Sequence, residues 1–101
     1  KYIYMVKLIE VKESSRKNKK LMAIYDNGEK IHFGTNSNFV YNKNKTETDR
    51  QNYIKRHSAN PLEKKALQKP RTPATLSMDL LWGESRNLKT NIRAYKRKYN
   101  I

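Results

Sequence analysis

A chain of 101 residues makes one domain that buries about two thirds of its unfolded surface, so its core is small. It holds no cysteine, which excludes a disulfide framework, a thiolate zinc site and a cysteine nucleophile, and no apolar run approaches the ~20 residues of a membrane span. Its 23 Lys and Arg against 9 Asp and Glu leave a net charge of +14, an excess that points to a polyanion: nucleic acid first, an acidic protein surface second.

Tyr2-Ile3-Tyr4-Met5-Val6-Lys7-Leu8-Ile9-Glu10-Val11 is rich in aromatic and β-branched residues and predicts a long, largely buried strand over 2–11. Lys7 and Glu10 interrupt it, so it does not read as a signal peptide. Residues 12–20 carry Lys12, Arg16, Lys17, Lys19 and Lys20 and no apolar member. Such a run is either a solvated connection or a basic arm lying along a phosphate backbone.

Leu21-Met22-Ala23-Ile24-Tyr25, then Asp26-Asn27-Gly28, then Lys30-Ile31-His32-Phe33-Gly34 predicts a hairpin with strands at 21–26 and 29–34, because Asn-Gly supplies the positive φ angles of a tight turn. His32 sits within the alternation and reads as an ordinary half-exposed strand residue. The polar stretch 34–45 encloses an apolar island, Phe39-Val40-Tyr41, which must dock on the body of the protein or stand as an unexplained exposed patch. Thr46-Glu47-Thr48-Asp49 offers caps and first-turn acids for a helix near 47–57, with Tyr53, Ile54 and His57 on one face.

Pro61, Pro70 and Pro73 break up the next stretch, with a two-turn helix over 62–68 whose Leu62, Ala66 and Leu67 share a face. A short helix at 76–82, capped by Thr75 or Ser77 and ended by a left-handed Gly83, would press Leu80, Leu81 and Trp82 inward. Asn87 then caps a last helix near 88–98. Its Leu88, Ile92, Tyr95 and Tyr99 form the buried stripe, and Arg86, Lys89, Arg93, Lys96 and Arg97 form a basic ridge on another side.

Tyr53-Ile54-Lys55-Arg56-His57, Leu76-Ser77-x-x-Leu80-Leu81-Trp82, Asn91-Ile92 and Tyr95-Lys96, preceded by Ile31-His32-Phe33-Gly34, resemble a group of small uncharacterised proteins of large nucleocytoplasmic DNA viruses. In that group a strand ending in Phe-Gly leads to a helix with Tyr-x-x-Arg-His and then to Leu-Leu-Trp. This chain departs from the group at Pro61-Leu62, where a Trp is usual, and at Met78, where an Arg is usual. The resemblance implies a viral origin, in the virion or the interior of an infected cell, and lends no activity.

No enzyme is expected. Three glycines leave little for a phosphate-cradling loop, and His57, although two turns after Asp49, reads as a residue packed beside Tyr53 at the helix end. Residues 30–38 are faintly similar to the second motif of the nucleases named for Gly-Ile-Tyr and Tyr-Ile-Gly, but the first motif is missing. The expectation is therefore one α+β domain over 1–101, a three-stranded antiparallel sheet covered on one face by about three helices. Its expected core is Trp82, Leu81, Ile92, Tyr53, Ile24 and Ile31, and it needs no cofactor or metal. Nucleic-acid phosphates would be met by Arg16, Lys17, Lys19, Lys20, Arg56, Arg86, Lys89, Arg93, Lys96 and Arg97. In the rival expectation the same surface meets acidic proteins of a virion shell, with Trp82 or Phe39-Val40-Tyr41 exposed as the contact.

Overall fold

A computed structural model of the protein describes residues 6–101. The sheet is antiparallel in the order β1-β2-β3, with β1 at Leu8–Glu13, β2 at Leu21–Tyr25 and β3 at Lys30–Phe33. The hairpin turn forms, but of the Asn-Gly pair only Gly28 takes a positive φ, 88°; Gly28 N donates to Tyr25 O at 3.0 Å and Tyr25 N to Glu29 O at 2.9 Å to close the hairpin.

β1 differs from its expected span. Residues 2–5 of the expected strand lie outside the described residues, and the ladder continues past Val11 to Glu13, which pairs with Leu21. The partner strand sets this length, since β2 offers hydrogen bonds up to Leu21 whatever the polarity of Lys12 and Glu13. A register shift between Leu8 and Glu10 turns Ile9 outward, leaving it 63% exposed.

Side chains on β2 alternate across the sheet. Leu21, Ala23 and Tyr25 enter the core with Phe33, while Val11 and Ile31 pack against it. Ile24, expected in the core, is only half-buried, because it belongs to the other face, where its register partners are Glu10 and Lys30.

The helices are α1 at Glu47–Ala59, α2 at Pro61–Ala66, α3 at Pro73–Leu76 and α4 at Leu88–Tyr99, and α3 runs on into a π-helical turn at Ser77–Leu81. Thr46 caps α1: its hydroxyl accepts from Asp49 N at 3.2 Å, and the Asp49 carboxylate accepts from Thr46 N at 2.8 Å. Pro73 opens α3 and does not merely end what precedes it. Thr72 is the cap, and proline suits the first helical position, where no N–H is needed. Thr75 is therefore a buried residue and not a cap, its hydroxyl donating to Lys69 O at 2.7 Å. Leu62 is 83% exposed, so it does not join Ala66 and Leu67, which are half-buried, on the face expected of α2.

Gly83 does not take the expected left-handed conformation; among the described glycines only Gly28 and Gly34 have positive φ. Its smallness is used instead, since a Cβ there would come within 2.6 Å of Asn91 Cγ and would also meet the Asp79 carbonyl. Asn91 is buried on α4, its side-chain amide donating to Leu80 O at 2.9 Å and Ser85 O at 2.7 Å. The core joins Leu8, Leu21, Ala23, Tyr25 and Phe33 of the sheet to Phe39, Leu76, Leu80, Leu81, Trp82 and Tyr95. At its edge Tyr25 OH donates to Tyr95 OH, which donates to Pro70 O, each at 2.7 Å.

Candidate functional site

α4 is amphipathic in the way its sequence predicts. Tyr95 is buried, and Leu88, Ile92 and Tyr99 pack on the core. At about 100° per residue, Lys89, Arg93, Lys96 and Arg97 fall within about 100° of arc on the flank beside that stripe. All four are exposed, and among the described residues no carboxylate pairs with any of them; the helix's ion pair is made by Lys98, 3.5 Å from Asp79. Burial is the largest single influence on Lys98 and would lower its pKa, but the Asp79 charge together with its contacts to Tyr99 and Asp79 holds the value above the usual range. The ridge covers about 12 Å of helix axis, the rise of three or four phosphates along one strand of a duplex.

Arg86 does not extend this ridge. Its guanidinium donates to Phe39 O at 2.8 Å, Asn42 O at 3.4 Å and Lys45 O, and it lies 4.0 Å from the centre of the Phe39 ring. It thus clamps the 39–45 segment, whose apolar island docks as required: Phe39 is buried, and Val40 N donates to Leu81 O at 3.2 Å. Arg50 does the same work elsewhere. Its Nε donates to the carbonyls of Trp82 and Gly83, each at 3.0 Å, while Nη1 donates to Glu47 at 2.9 Å. Sequence reasoning gave Arg50 no role, because nothing in the spacing of a helix residue announces the chain turn it will hold.

Four more of the expected residues, Arg16, Lys17, Lys19 and Lys20, lie on the β1–β2 connection. This connection is tied down: Ser14 N donates to Lys20 O at 3.2 Å, Lys20 N to Gly34 O at 3.1 Å, and the Ser14 hydroxyl bonds His32 Nδ1 at 2.7 Å. Desolvation, then the charges of Arg16 and Lys30, hold His32 below its usual pKa. Arg16, Lys17, Lys19 and Lys20 line a shallow hollow with Glu13 as its acidic member. Lys20 Nζ also sits 4.4 Å from the centre of the Tyr41 ring.

Beside this hollow, sharing Lys19 and Thr35 with it, is a cleft of about 380 Å³ between the end of β3, α1, α2 and α3. Trp82 and Tyr53 stack at one wall, ring centres 4.2 Å apart and 5° from parallel; His57 packs on Tyr53 at 4.1 Å. Burial, with the Glu63 charge second, pushes the Tyr53 phenol up to about 12. Glu63 bonds His57 Nδ1, and since a carboxylate only accepts, Nδ1 carries the proton. Arg56, also on α1, lies 6.0 Å from the Tyr53 ring centre. The sequence-predicted basic residues thus fall into a ridge on α4, a hollow at the β1–β2 connection and Arg56 on α1, with Arg86 turned to the backbone. Among the described residues no group of three His, Asp or Glu side chains is placed to hold a metal ion, and no helix is long and apolar enough to cross a membrane.

The model of a family of unknown function, DUF5754, matches residues 9–57, from β1 to the His57 that ends the Tyr-x-x-Arg-His motif. The match is similarity over that part of the chain; the segment carrying Leu-Leu-Trp and the whole of α4 lie beyond it. No curated protein and no solved structure matches the chain.

Proposed function

We propose that this is a non-enzymatic, sequence-tolerant nucleic-acid-binding protein that grips the phosphate backbone, and that its setting is the genome or virion of a large DNA virus. The observation that carries the reading is the α4 ridge: Lys89, Arg93, Lys96 and Arg97 are exposed and unmatched by acid on a helix anchored from behind by Tyr95 and Asn91. Cations at fixed spacing release condensed counterions when they meet phosphates, and phosphate contacts position a duplex without reading its sequence. The viral setting rests on the Phe-Gly, Tyr-x-x-Arg-His and Leu-Leu-Trp pattern. The rival reading, a virion shell protein that meets acidic neighbours, draws on the same charge but needs an apolar contact. Trp82 and Phe39 are buried, which leaves Tyr41 as the exposed member of its expected contact set.

The test is binding of labelled duplex DNA followed by anisotropy. Four phosphate contacts predict about a hundredfold loss of affinity between ~50 and ~200 mM salt. Reversing the ridge with Lys89→Glu, Arg93→Glu, Lys96→Glu and Arg97→Glu is expected to abolish most binding at ~50 mM salt with the melting temperature preserved. Affinity indifferent to both salt and charge reversal overturns the reading.

A further inference from the structure

We infer that the cleft beside Tyr53 and His57 receives an unpaired nucleobase, whose adjoining phosphate rests on the basic hollow of residues 16–20. The inference rests on the phosphate-binding reading and adds to it a preference for single-stranded over fully paired nucleic acid.

The two hollows are one continuous surface, because Lys19 and Thr35 line both. One side offers four cations, Arg16, Lys17, Lys19 and Lys20, against the single carboxylate of Glu13. The other offers an apolar floor, including Met78 and Leu81, edged by hydroxyls of Thr35, Ser37 and Ser77. A volume of about 380 Å³ lies within the range of sites that hold small planar ligands, roughly 300 to 1,000 Å³. An anion-binding rim continuous with an apolar slot fits a nucleotide, which is charged at one end and flat and weakly polar at the other.

His57 supplies the polar recognition. In the tautomer whose Nδ1–H donates to Glu63, His57 presents Nε2 as an acceptor, and among the described residues Nε2 has no partner. The exocyclic amines of adenine, cytosine and guanine are donors of the kind that nitrogen takes. The Glu63 carboxylate, the one acid lining the cleft, is committed to His57, so it does not stand as an unpaired charge against the phosphate. The Trp82–Tyr53–His57 ring series fixes the imidazole in place before any ligand arrives.

The experiment compares two single-stranded DNA oligonucleotides of equal length and phosphate number, one of cytosines and one with abasic sites at its centre, each titrated at ~50 and ~200 mM salt. The cytosine strand is expected to bind about tenfold tighter or more, as base stacking and one buried hydrogen bond would give. Ala74→Phe, which fills the cleft from α3, should bring its affinity down to that of the abasic strand. His57→Gln, with folding checked by melting, should reduce the difference and shift preference among bases. Equal affinity for the two strands in the parent protein overturns the inference while leaving the phosphate reading intact, provided both weaken with salt. Failure of both strands to bind at ~50 mM salt overturns both. Displacement of the cytosine strand by oligoglutamate as readily as of the abasic strand would also overturn it, in favour of an acidic protein partner.

Discussion

Arg86 and Arg50 carry the same charge as the residues of the α4 ridge, yet their donors go chiefly to backbone carbonyls. A letter in a sequence does not say which. Arg86 stands one position before the Asn87 cap and shares the basic spacing of α4, so periodicity assigns it to the ridge; only the path of the 39–45 segment, more than 40 residues away, gives it three carbonyls. Its removal should therefore affect folding and not binding. Arg86→Ala is expected to cost about 1 to 2 kcal/mol in urea unfolding, the range for bonds to a charged donor discounted for exposure. Arg86→Lys should recover little, because a single ammonium does not span three carbonyls as a planar fork does. A loss below about 0.5 kcal/mol, or a clear fall in DNA affinity at full stability, would show that Arg86 belongs with the phosphate-facing set after all. Trp82 and Leu81 were legible as core because a large apolar side chain has few alternatives in a chain this polar. Ile24 was misplaced by one step of alternation, which only the strand register decides.

At the scale of elements, local chemistry was readable and partner-dependent extent was not. The Asn-Gly hairpin and the Thr46–Asp49 start of α1 follow from residues next to one another, so sequence alone places them. β1 was misjudged because ladder length belongs to the pair of strands, and α3 because Pro73 reads equally as a stop and as a first helical residue. The π turn at Ser77–Leu81 leaves no local signature; Gly83 and Asn91 permit it, and they meet only in the folded chain. The cap of α1 carries a pH prediction. The Thr46 backbone N–H, then the Thr46 hydroxyl, hold the Asp49 pKa below its usual value. A carboxylate whose folded pKa is depressed stabilises the fold above its unfolded pKa, about 3.9, and that contribution disappears as pH falls through the folded value. Asp49→Asn should flatten this part of the acid limb in a series of melts from about pH 6 to 2. An acid limb identical to that of the parent would mean that the cap does not couple to protonation.

Across the whole molecule, the α+β architecture was legible because three apolar runs with one unmistakable turn, followed by amphipathic stretches, have few other ways to bury their faces. The cleft was not legible: Lys19, the Tyr53–His57 pair of α1 and Trp82 are far apart in the chain, and the only forewarning was that His57 packs beside Tyr53. The charge balance has a further consequence for the protein without a partner. Acids pair with Arg50, Arg71 and Lys98, but 23 basic groups against 9 acidic ones leave an excess that no internal pairing can cancel. That excess repels itself, and self-repulsion raises the free energy of the compact state. Salt screens it, so the melting temperature should rise between ~50 and ~200 mM salt, the same interval over which the proposed DNA affinity is expected to fall; a falling or flat melting temperature would contradict this. A bound polyanion relieves the strain more fully than salt, since it attaches to the folded form. On the proposed reading, a nucleic acid would then also be a missing counterion of the fold, and the protein should be at its most stable when bound.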